Sequence, residues 1–147
     1  MLTNTDQTHD VKITGWGLCN ISFLLVGGGG RGGSGDAGAG SGYLEYGSLQ
    51  VFADGAVLTA QVGDKRQPSS VTLSSGDTYT ANPGQDSQGY DGGAGYSGGG
   101  GGGPGGGGGG LLVNGEKPTG ENVHIGEGFG GGGYGGNGFP GCVLIEV

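Results

Sequence analysis

The sequence predicts an all-β protein with no α-helix, its strands separated by blocks of glycine. Three observations lead there. Glycine is 45 of the 147 residues, and each glycine in a helix interior costs about 1 kcal/mol relative to alanine. No segment carries the i, i+3, i+4, i+7 apolar spacing of an amphipathic helix. Short runs rich in β-branched and aromatic residues stop at glycine or at turn residues, as strands do.

In chain order, the polar residues 1–10 read as an N-terminal arm and residues 11–147 as a single glycine-rich β domain. "VKITGW" (11–16) and "NISFLLV" (20–26) read as strands. "YLEYGSLQVF" (43–52) alternates, with Leu44, Tyr46, Leu49 and Val51 as inward candidates. The phase slips at Gly47, which fits a bulge. "DGAVLTAQVG" (54–63) and "SGDTYTANPG" (75–84) share one design, a glycine turn followed by an alternating strand, with "SSVTL" (69–73) as a strand between them. Asp54-Gly55 and Gly76-Asp77 supply the turn chemistry. "LLVNG" (111–115) is a brief apolar return. "CVLIEV" (142–147) is nearly free of polar residues and is expected to be a central strand, buried on both faces.

Three glycine blocks, about 27–42, 89–110 and 127–141, interrupt these strands. A run such as "GGGGGGPGGGGGG" (98–110) first reads as a flexible linker. Two features weigh against that. The blocks carry sparse core-type residues, Tyr90, Tyr96, Leu111, Phe129, Tyr134 and Phe139, and each block returns to a β segment. The ordered alternative is the polyproline II conformation, with three residues per turn and no internal hydrogen bonds. Its amides must bond to neighbouring strands, and close packing requires facing positions without side chains, which polyglycine meets on every side. Pro104 already prefers this conformation. Six glycines then span about 19 Å, the length of a strand of about five to six residues. The expected architecture is an all-β chain whose glycine insertions form a polyglycine II helix bundle.

The pattern "SFLLVGGGG", "GYLEYGSLQV", "LTAQVG", "GYDGGAGYSGGGGGGPGGGGGGLLVNG" and "GEGFGGGGYGGNGFPGCVLIEV" resembles the glycine-rich extracellular domains of the anaplastic lymphoma kinase and leukocyte tyrosine kinase receptors. The likeness covers residues 11–147 in outline and rests on the closing motif and the order of the blocks. It implies a jelly-roll-like sandwich from which polyglycine helices emerge. The receptors' kinase and membrane span have no counterpart here, so the receptor function does not carry over.

Charge and hydropathy exclude several function classes. The net charge is −8, with only five lysines and arginines, whereas nucleic acid and anionic membranes demand basic patches. No apolar run approaches the ~20 residues of a membrane span. The opening "MLTNTDQTHD" has no apolar signal core, so no export signal is visible, yet the composition points to an extracellular setting, secreted or surface-associated.

Candidate sites are few. Cys19 and Cys142 lie near opposite ends of the chain, and two readings stand: buried free thiols, or a disulfide joining first and last strands. Asn20 opens the sequon Asn20-Ile21-Ser22, where a glycan needs Asn20 outward and Cys19 inward. Asp36, Asp86 and Asp91 could hold calcium in an extracellular setting, but a solvated surface is the favoured reading. His124, between Glu121 and Glu127, reads as an ordinary loop histidine, with a metal or acid–base role as the alternative. Arg31 in "GGGGRGGSGDAG" lacks the Gly-Lys-Ser/Thr ending of a phosphate loop. No catalytic constellation and no cofactor is expected.

The expected function is that of a non-enzymatic extracellular structural protein that self-assembles into a filament or matrix. Val11, Lys12, Ile13 and Thr14 are the candidate assembly strand. The alternative is a ligand-binding or adhesion module, presenting Tyr90, Tyr96, Phe129 and Tyr134 to glycans or extracellular proteins. A flat polyglycine face binding ice is a third idea.

Overall fold

The computed structural model describes residues 1–33, 38–88, 93–95, 130–132 and 137–146. The described residues contain no helix and seven strands: β1 (Thr8–Lys12), β2 (Leu18–Val26), β3 (Leu44–Phe52), β4 (Val57–Gln61), β5 (Ser69–Leu73), β6 (Thr78–Ala81) and β7 (Cys142–Glu146). They form two antiparallel sheets, ordered β1-β4-β5-β6 and β3-β2-β7. The all-β, helix-free expectation holds.

Alternation along the strands builds the core. Ile21, Phe23 and Leu25 of β2 point inward, fully or almost fully buried, and meet Leu58 and Ala60 of β4, Val71 and Leu73 of β5 and Ala81 of β6. The Phe23 and Tyr79 rings lie 4.7 Å apart at a 48° tilt, joining the two sheets. Burying side chains of this size contributes about 1.5–3 kcal/mol each, so β2 is the spine of the sandwich.

Three strand expectations are corrected. β1 begins at Thr8, so residues 8–10 of the polar arm are already paired with β4, Thr8 opposite Gln61. Gly47 is not a bulge. β2 and β3 pair one-to-one from Leu18↔Phe52 to Val26↔Leu44 without a break. The apparent phase slip arises because Gly47 occupies an inward position where a Cβ would overlap the Phe23 ring. Leu49 and Val51 share that inward side, whereas Tyr46 points outward and is 66% exposed. Lastly, β7 is an edge strand, not a central one. Its apolar character is explained by Val143, buried over the core, and by the N-terminal segment on its free side, where Leu2 and Val143 exchange both backbone hydrogen bonds at 2.7 and 3.0 Å.

Turns sit where the sequence places them. The β5–β6 hairpin closes through Gly76, whose amide donates to the Leu73 carbonyl at 2.8 Å and whose φ is +99°.

Candidate functional site

Two regions at opposite ends of the sandwich stand out. At one end β2 runs from Val26 into Gly27–Gly30, and the chain stops pairing with a single neighbour. The Gly27 amide donates to the Tyr43 carbonyl (3.0 Å), Gly28 to Gln67 (2.9 Å), Gly29 to Phe139 (2.8 Å) and Gly30 to Gly40 (3.0 Å). Gly27 and Gly30, three residues apart, thus reach two carbonyls of one neighbouring segment that are also three apart. Incoming bonds repeat the pattern: Gly84 donates to Gly28 (2.9 Å) and Ser87 to Arg31 (3.1 Å). Successive amides thus reach three neighbouring segments, and Gly30 returns to the one that Gly27 reached.

Side chains are impossible on this stretch. A Cβ at Gly27, Gly28, Gly29 or Gly30 would overlap the carbonyl oxygen of Asn82, Asp64, Gly131 or Gln85, respectively. Each direction is filled by another segment's backbone, so substitution forces whole segments apart. Ser69 anchors the start of this region from β5. Its fully buried hydroxyl donates to the Val26 carbonyl and accepts from the Gly63 amide at 2.9 Å.

A surface ion pair flanks the glycine end. Asp86 accepts from the Arg31 amide at 2.7 Å and pairs with the Arg66 guanidinium at 2.8 Å. Asp86 thereby holds one backbone amide and one guanidinium. An exposed pair of this kind is worth about 0–1 kcal/mol. Among the described residues no group of three or more His, Cys, Asp or Glu is placed to hold a metal.

The opposite end carries an apolar tip. Trp16 is 91% exposed, and Leu18 and Phe52, direct partners across β2 and β3, are 60% and 69% exposed. Trp16 stands between Gly15 (φ +136°) and Gly17 (φ +79°), conformations that residues with a Cβ rarely adopt, and the Gly17 carbonyl accepts from the Ala53 amide at 2.9 Å. The two glycines turn the chain so that the indole projects outward. Beside Phe52 lies an open cleft of about 360 Å³ whose apolar wall is Leu49, Val51, Leu58 and Leu73, with Asp54 and Asp77 also lining it. Sequence reasoning missed this tip. The available signal was "GWG", a large aromatic between two residues that favour turns.

The sequence-predicted site residues fare unequally. Cys19 and Cys142 are free thiols. Cys142 pairs with Val26, seven residues along β2 from Cys19, a separation of about 23 Å at the rise of a strand. A disulfide needs Cα atoms within about 7 Å, so this fold does not join them. Burial pushes the Cys142 thiol above its ordinary pKa. Asn20 is exposed opposite Gln50, on the outer face of its sheet, while Cys19 packs against the core. Val11 and Lys12 pair with Leu58 and Val57 of β4, within β1 at the edge of its sheet. Ile13 is buried with its amide bonded to the Ala56 carbonyl at 3.0 Å, and Thr14 follows it, exposed. Tyr90, Tyr96, Phe129 and Tyr134 lie outside the described residues, as do Asp36, Asp91, Glu121, His124, Glu127, "LLVNG" and the run 98–110.

Comparison with protein-family models, curated proteins and solved structures finds no match to this chain. No helix among the described residues is long and apolar enough to cross a membrane.

Proposed function

We propose that this chain is a non-enzymatic structural protein, acting outside the cell, that self-assembles into a filament or matrix. The carrying observation is the threefold hydrogen bonding of Gly27–Gly30, whose amides reach Tyr43, Gln67, Phe139 and Gly40 in turn. That repeat is what a polyglycine II helix requires of its neighbours. On this reading the glycine blocks are packed bundles, as the resemblance to the receptors' glycine-rich domains implies, and not tethers. A bundle of such helices leaves unpaired amides and carbonyls around its perimeter, and another copy of the molecule can satisfy them. Rigid bodies with bonding groups on their flanks suit a load-bearing or coating material.

Electron microscopy of the concentrated protein tests this reading. Ordered assemblies with a short axial repeat are the expected result. Dispersed particles at every concentration, with sedimentation at the monomer mass, would overturn it.

A second reading is favoured by the tip alone. Trp16, Leu18 and Phe52 form an exposed apolar cap, and exposed aromatics at the end of a rigid body suit adhesion. Immobilised protein that retains extracellular glycoproteins, and loses them with Trp16→Ala at unchanged melting temperature, would support it. Equal retention by both would remove it.

A further inference from the structure

The sandwich has four edge strands, and the described residues guard three of them. β1 carries His9, Asp10 and Lys12 along five residues, β6 has only four residues, and β7 is bridged by Leu2. Charge, shortness and coverage are the usual means of keeping an edge from pairing with another chain. β3 has none of them in strength. It runs nine residues, Leu44–Phe52, without proline or lysine, with Glu45 near its start as its single charge. One side pairs with β2 throughout. No described segment pairs with the other.

We propose that the outer edge of β3 is a self-recognition surface, where a second copy of this chain adds its own β3 antiparallel about a twofold axis at Ser48. The inference deepens the self-assembly reading and rests on it. In this register Ser48 faces Ser48 of the second copy, Tyr46 faces Gln50, and Leu44 faces Phe52, so all nine positions are matched. Glu45 faces Val51, which leaves the two glutamates about six residues, or about 20 Å, apart. No like charges meet, although the whole chain carries −8. Gly47 faces Leu49, so the half-buried Leu49 meets no opposing side chain across the contact. The result is one six-stranded sheet, β7-β2-β3 continued by β3-β2-β7, with strand addition supplying main-chain hydrogen bonds and the twofold axis making the contact self-complementary.

Charge swapping at Ser48 tests the proposal. Ser48 is exposed, so neither lysine nor glutamate there disturbs the core. By sedimentation, wild type is expected at twice the monomer mass, and Ser48→Lys and Ser48→Glu each at the monomer mass with unchanged melting. An equimolar mixture of the two variants should recover the dimer. Thr80→Lys, on the exposed face of β6, should stay dimeric. Variants that dimerise like wild type, or a mixture that stays monomeric, would overturn the β3 contact. Micrographs separate this from the broader reading: assemblies formed equally by wild type and Ser48→Lys discard β3 and keep self-assembly, whereas a wild type that neither dimerises nor assembles discards both.

Discussion

Ser69 donates its hydroxyl to the Val26 carbonyl at 2.6 Å, tying one sheet to the other where β2 becomes the glycine stretch. The same oxygen accepts from the Gly63 amide, and the side chain is fully buried. Removing it strands a buried donor and a buried acceptor, each costly without water. Ser69→Ala should destabilise the chain by about 1–3 kcal/mol, read as a lower urea midpoint with an unchanged slope. An unchanged midpoint would mean that the hydroxyl does not join the sheets.

Two glycines separate packing from backbone conformation. At Gly29 a Cβ would overlap the Gly131 carbonyl, and neither backbone can yield without dislodging a segment. Gly29→Ala is expected to cost at least about 3 kcal/mol, the upper end of overpacking effects. Gly55 has φ +73° and open space around its Cβ position, so Gly55→Asn, which tolerates that conformation, should stay within about 1 kcal/mol of wild type. Thermal melting of both variants checks the contrast. Equal small losses would show that the glycine stretch yields easily.

The cysteines should behave as unequal, unbridged thiols. Under native conditions a thiol reagent should modify half-buried Cys19 before buried Cys142, and mass spectrometry of the oxidised monomer should find no link between them. Burial raises the Cys142 pKa above 9.0, so the folded chain keeps a proton that the unfolded chain releases. That contribution is present below the unfolded thiol pKa and is lost as pH rises through the folded value. Stability should therefore fall above about pH 9, and Cys142→Ala should flatten that part of the profile. An identical alkaline slope in the variant would contradict the assignment.

Trp16, the single tryptophan, reports on the tip. At 91% exposure its emission in dilute solution should be that of a hydrated indole, quenched by acrylamide almost as freely as the amino acid. Trp16→Ala should change stability by no more than about 0.5 kcal/mol. Emission shifted to shorter wavelength in the dilute monomer would contradict an outward indole. A shift confined to concentrated samples would identify the tip as part of the assembly contact.

The sequence alone determined the all-β class and the positions of most strands. β5 falls at Ser69–Leu73 as read, and β3 differs from its reading by one residue. Alternation has a period of two and is written locally, so strands and turns such as Gly76-Asp77 are legible without knowing their partners.

Partner choice was not legible. Only the tertiary structure placed β7 at an edge beside Leu2, set Cys142 opposite Val26 and away from Cys19, and distributed the Gly27–Gly30 amides among four separate carbonyls. It also turned Trp16 outward and left the long side of β3 without a described partner. The reason is physical: a side-chain pattern says which face of a strand is buried, but backbone hydrogen bonds carry no residue code. Glycine, with no side chain at all, leaves nothing in the sequence from which its register can be read.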